Sequence, residues 1–104
     1  MPQPLWTPSA DRIAATRMTA FRLFVNQRHG LALADYPALH AWSVAAREAF
    51  WQAIVDFFEI RFRTPASVVL QEGPAMPSAH WFPGATLNFA EQLLRRRDAH
   101  PALV

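Results

Sequence analysis

Several residue types that carry chemistry in other proteins are missing or scarce in this chain of 104 residues. There is no cysteine, which excludes disulfide bonds and thiolate metal sites. There is no lysine either, and the three glycines are Gly30, Gly73 and Gly84. A phosphate-binding loop of the common type needs clustered glycines followed by a lysine. The sequence therefore cannot form one.

Charged residues are also scarce. They make up 17% of the chain, against a typical value of about 25%, while 52% of the residues are hydrophobic and 12% aromatic. A chain of this length corresponds to one domain, which buries only about two-thirds of its unfolded surface. We expect part of the apolar excess to remain exposed in the isolated chain and to mark an interface. The alternative is a dense core with a few exposed apolar residues.

Arginine alone carries the positive charge, and the ten arginines give a net charge of +2. The one cluster is Arg95-Arg96-Arg97, while Asp and Glu are mixed among the other arginines. We interpret the cluster as a helix C-terminus, where cations complement the helix dipole. A phosphate-binding surface would need several spread contacts, so we expect no nucleic-acid partner. The absence of lysine also fits the coding bias of a GC-rich bacterial genome.

No apolar run approaches the length of about 18 residues that a membrane span requires. The first residues, MPQPLWTPSADR, lack the basic segment and apolar stretch of a signal peptide. The sequence therefore predicts a cytoplasmic protein with no membrane partner.

The spacing of apolar residues predicts a mainly α module with about three to four helices and one or two short strands. Residues 1–8 contain three prolines and are expected to form an extended arm. Ser9 is a good N-cap for a single amphipathic helix over residues 10–29, and Gly30 ends that helix.

A second helical region begins at Asp35-Tyr36-Pro37 and, by propensity alone, would continue unbroken to Phe58. Residues 67–71 predict a strand and residues 72–80 a turn-rich loop. A last helix is expected from about residue 87 to 97. Residues 101–104 resemble the start of another strand. Because a domain seldom ends inside an apolar strand, the chain is expected to belong to a longer protein.

The most informative stretch is WFPGATLNFAEQLL, residues 81–94. Trp81-Phe82 forms a bulky aromatic pair in a predicted loop, where such a pair usually anchors one element onto another. Pro83-Gly84 predicts a type II turn, since Gly tolerates the positive φ that this turn requires. Either Thr86 or Asn88 can cap the helix that follows.

The remaining polar residues do not predict a catalytic or metal site. No two histidines have the spacing of three to five residues that places two ligands on one helix face. Ser43 lies near His40 and Glu48 in the sequence but lacks the glycine-flanked turn of a hydrolase nucleophile, so a capping role is the stronger interpretation. Asp56 and Glu59, one helical turn apart, are expected to face water. The four histidines are His29, His40, His80 and His100.

Short motifs along almost the whole chain resemble one known family. Their order and spacing are similar to the N-terminal region of acyl-CoA synthetases of the acetyl-CoA synthetase type, within which acetoacetyl-CoA synthetases are the most similar subgroup. Acetyl- and propionyl-CoA synthetases share some of the motifs. Besides residues 81–94, the motifs are Trp6-x-Pro8-Ser9, Leu39-His40-x-Trp42-Ser43-Val44, Phe50-Trp51 and Asp56-Phe57-Phe58.

The resemblance implies that residues 9–100 form a noncatalytic helical domain, which packs on a larger α/β adenylate-forming domain in the same chain. Residues 101–104 would start a strand of that domain. The complete enzyme is expected to activate acetoacetate with ATP and Mg²⁺ as an acyl-adenylate and to transfer the acyl group to CoA. None of the family's catalytic positions maps onto this chain, so the chain alone is expected to be inactive. The resemblance also implies a helix break near Ser43-Val44, with Ser43 capping a helix that continues to about Glu59.

The aromatic residues and one asparagine are the candidates for docking onto the larger domain. An alternative interpretation of the same residues is a standalone helical domain whose aromatic surface binds another protein. In either case the isolated chain is expected to self-associate. The candidate docking residues are Trp42, Trp51, Trp81, Phe82 and Asn88, of which Asn88 is equally well explained as an N-cap.

Overall fold

The computed structural model describes residues 2–104. The chain divides into two compact units, Met1–Ala53 and Ile54–Val104. The first unit is helical, and the second combines a small hairpin with a short helix. The predicted class, a mainly α module with a minor strand component, is confirmed. Within the described residues, none of the helices has the length and apolar character that crossing a membrane would require.

The predicted helix over residues 10–29 is in fact two helices, α1 at Ala10–Ala14 and α2 at Arg17–His29. Ser9 caps α1 as predicted, with its hydroxyl accepting from the Arg12 backbone N–H at 3.3 Å. The prediction of a single helix was wrong because Thr16 takes an extended conformation and caps α2. Its hydroxyl accepts from the backbone N–H of Thr19 at 3.1 Å. A threonine side chain that bonds a nearby backbone N–H offers an alternative to the helical hydrogen bond.

Helix α2 ends at Gly30 as predicted. Gly30 has φ of +64°, a left-handed conformation that costs glycine nothing. The backbone N–H of Leu31 bonds back to the carbonyl of Asn26 at 3.0 Å, which closes the helix end. The Asn26 amide then binds both backbone groups of Leu33, at 2.8 and 3.0 Å. The connection to the next helix is therefore held against α2.

The second helical region is also divided, into α3 at Tyr36–Ala45 and α4 at Arg47–Phe57. Asp35 caps α3 by accepting from the Ala38 N–H at 3.0 Å, as its sequence position predicts. A break is present, but it lies at Ala46 rather than at Ser43-Val44. The predicted capping role of Ser43 was wrong, because its hydroxyl donates to the carbonyl of His40 at 2.7 Å within α3.

The core of the first unit forms where α2 meets α3 and α4. The ring of Phe21 meets Phe50 edge-on at 5.9 Å, and Phe50 meets Trp42 at 6.3 Å. Fully burying a large apolar side chain contributes about 1.5–3 kcal/mol, so Phe21 is expected to contribute in that range and the half-buried Phe50 and Trp42 less. The buried apolar residues of the unit are Phe21, Val25, Leu39 and Ala53.

The second unit begins with the end of α4 and contains a hairpin of two short strands, β1 at Leu70–Gln71 and β2 at His80–Trp81. The strands are antiparallel, with Leu70 opposite Trp81. The predicted strand over residues 67–71 is thus shorter than expected. The loop prediction was wrong for His80, which pairs with Gln71, and for Trp81. A 3-10 helix at Met76–Ser78 lies between the strands.

The Pro83-Gly84 turn is of type II as predicted: Gly84 has φ of +80°, and the N–H of Ala85 bonds to the carbonyl of Phe82 at 3.0 Å. Thr86 then pairs with Thr64 in an antiparallel bridge. Helix α5 spans Phe89–Leu93, so the last helix is much shorter than the predicted range of about 87–97.

Residues 95–104 form neither helix nor strand. The arginine cluster at 95–97 lies beyond α5 rather than within a helix, which corrects its predicted place. Residues 101–104 adopt neither helix nor strand, and their assignment to a strand of a larger domain remains a prediction.

Candidate interaction surface

Two of the polar residues considered for chemistry, Ser43 and His40, are engaged in local structure. The Ser43 hydroxyl bonds the backbone carbonyl of His40, while the His40 ring stacks on Tyr36 at 6.2 Å. Glu59 has φ of +52° at the end of α4. Across residues 2–104, no three side chains of the His, Cys, Asp or Glu type come together in a way that could hold a metal ion.

Exposed apolar residues are the main feature of the surface in both units. Among residues 2–104, nineteen large hydrophobic side chains are exposed. The expectation that part of the apolar excess remains exposed is thus met, while its role as an interface stays a prediction. In the first unit the exposed set includes Ile13, Met18, Leu23, Val44 and Trp51, and in the second Val68, Trp81, Leu87, Phe89, Leu93 and Leu94.

Two of the predicted docking residues are partly exposed. Trp51 is 42% exposed on α4, where its ring meets Phe50 edge-on at 5.1 Å. Trp81 is 41% exposed on β2, directly opposite the buried Leu70. Directly opposed residues in an antiparallel pair point to the same face of the hairpin. The Trp81 side chain therefore lies on the same face of the hairpin as Leu70 and still keeps part of its surface accessible to a partner.

The other three predicted docking residues have internal roles in the structure. Trp42 is half-buried and its ring lies 5.3 Å from that of His29. Phe82 is half-buried against Phe62 at 5.6 Å, with φ of +46°. Asn88 caps α5 by accepting from the N–H of Glu91 at 3.2 Å, which confirms its N-cap interpretation. Trp42 and Trp51 both contact the Phe50 ring in the first unit, while Trp81, Phe82 and Asn88 belong to the second unit.

A groove in the second unit was not predicted from the sequence. It lies between the extended segment 62–64 and the segment that enters α5, and its volume is about 910 Å³. The Thr64–Thr86 bridge joins the two segments. One predicted docking residue, Asn88, lines the groove, and the i, i+4 spacing of Phe89 and Leu93 is a further sequence signal for this region. The lining residues are Phe62, Arg63, Thr64, Thr86, Leu87, Asn88, Phe89 and Glu91.

A family model described as "Acetyl-coenzyme A synthetase N-terminus" matches residues 36–93. An acetoacetyl-coenzyme A synthetase of Rhizobium meliloti (strain 1021) is 37% identical over 102 residues, which are 98% of this chain and 16% of the relative. A malonamoyl-CoA synthetase of Penicillium aethiopicum is 43% identical over 91 residues, 86% of this chain and 12% of the relative.

Among solved structures, the acetoacetyl-CoA synthetase of Streptomyces lividans matches with a TM-score of 0.80 and 50% identity. The match covers 86% of this chain and 14% of that structure. The chain thus spans about one-sixth or less of the length of these relatives. The family match runs from the first residue of α3 to the last residue of α5, so that α1 and α2 precede it.

Proposed function

Because the chain belongs to the acetyl-coenzyme A synthetase N-terminus family, we propose that it is the noncatalytic N-terminal domain of a larger AMP-forming acyl-CoA ligase. The similarity of its structure to part of an acetoacetyl-CoA synthetase supports this proposal. A standalone interaction domain is not favoured, since the relatives that match nearly the whole chain are themselves much longer CoA synthetases.

The extent of the matches supports a ligase of the group that includes the acetoacetyl-CoA and malonamoyl-CoA synthetases, since both relatives match this chain over more residues than the family model does. Residues 1–35 lie outside the family model, yet the match to the Rhizobium meliloti acetoacetyl-coenzyme A synthetase spans 98% of the chain and so includes nearly all of them. These residues contribute to the fold, because Phe21 and Val25 of α2 are two of the four buried apolar residues of the first unit. The observation that carries the acetoacetate assignment is the likeness to acetoacetyl-CoA synthetases over most of the chain, in sequence and in a solved structure at 50% identity.

The names of two relatives suggest the class of acid. Acetoacetate and malonamate are both short carboxylates with a carbonyl group at carbon 3, and they differ in carrying a methyl or an amino group on that carbonyl. We propose that the complete enzyme activates a short acid of this class, with acetoacetate as its substrate. The residues that select the acid would lie in the larger domain.

The complete enzyme is proposed to use ATP, Mg²⁺ and CoA, and this chain lacks the residues for a glycine-rich phosphate loop that ends in lysine. The chain has no lysine, and its three glycines are widely separated in sequence. The described residues bring together no set of side chains suited to a metal ion. The role of this chain is therefore proposed to be structural: to dock on the adenylate-forming domain in the same polypeptide. Trp51 and Trp81 are the partly exposed aromatic candidates for that contact.

A comparison of acids tests this function. We expect the full-length protein to release pyrophosphate from ATP and Mg²⁺ with acetoacetate, more slowly with malonamate, and least with acetate, which lacks the carbon-3 carbonyl. The 104-residue chain alone is expected to release none with any acid. Equal or faster turnover of acetate would contradict the acetoacetate assignment, and pyrophosphate release by the chain alone would contradict the noncatalytic role.

A further inference from the structure

We draw no further inference here: the strongest candidate, the groove of the second unit between residues 62–64 and the segment that enters α5, carries none because nothing in the structure shows what covers it.

Discussion

Replacing Phe21 by alanine tests whether α2 belongs to the core of the first unit. Phe21 is 5% exposed, and its ring contacts Phe50 edge-on at 5.9 Å and Phe24 at 6.5 Å. Truncating a buried Phe to Ala costs about 3–5 kcal/mol, which combines lost burial with the cavity that remains. The total stability of a domain of this size is about 5–15 kcal/mol, so Phe21→Ala should remove a large share of it.

Urea unfolding of the 104-residue chain, followed by tryptophan fluorescence, measures this loss. Leu23→Ala is the matched control, because Leu23 lies on the same helix and is exposed, so its truncation should cost less than about 1 kcal/mol. A double-mutant cycle with Phe50→Ala should give a coupling of about 0.5–1.5 kcal/mol, the usual value for an aromatic pair.

Equal losses for Phe21→Ala and Leu23→Ala, or a coupling near zero, would refute the packing of α2 on α4.

Three further predictions concern the second unit and the exposed surface. Trp81→Ala should destabilise the full-length enzyme by more than it destabilises the isolated chain, since the indole is only partly buried here. Denaturant unfolding of wild type and variant, in the full-length enzyme and in the isolated chain, measures both losses of unfolding free energy. Equal losses would assign Trp81 to the packing of this chain alone. Gly73→Ala should destabilise the hairpin, because a Cβ at Gly73 would lie 2.3 Å from the Ser78 Cβ, and an unchanged Tm would contradict that clash. The isolated chain should self-associate through its exposed apolar residues; light scattering that shows a monomer at high concentration, with no binding of a hydrophobic dye, would disagree.

Part of the candidate surface was predictable from the residues and part was not. The sequence identified Trp51 and Trp81 as aromatic residues available for docking, and both are partly exposed. It did not show that Phe82 would turn inward against Phe62, because that contact depends on how segments distant in sequence come together. The groove was missed for the same reason, since it exists only where residues 62–64 lie beside residues 86–91.

Thr16 was a local signal for the break between α1 and α2, but the apolar periodicity of residues 10–29 was given more weight. Apolar residues recur at helical spacing through residues 10–29, and this periodicity predicted a single helix. Thr16 interrupts it, because its hydroxyl binds the Thr19 N–H and also donates to the carbonyl of Ile13 at 2.8 Å. A threonine that can cap the residues after it is a helix-start signal even within a periodic run.

The sequence by itself determined the features that depend on a few neighbouring residues. Ser9, Asp35 and Asn88 cap helices, Gly30 ends α2, and Pro83-Gly84 forms the type II turn. Each of these needs only a side chain within hydrogen-bonding reach of the local backbone, or a residue that tolerates the required φ.

Tertiary structure alone decided the features that join distant segments. The pairing of His80–Trp81 with Leu70–Gln71 turned a predicted loop into a strand. The bonds from Gln92 and Arg95 to residues 58–61 fixed the place of a helix that is too short to be stable alone. Such contacts are energetically favourable only after the intervening chain has closed on itself, so no local pattern of residues specifies them.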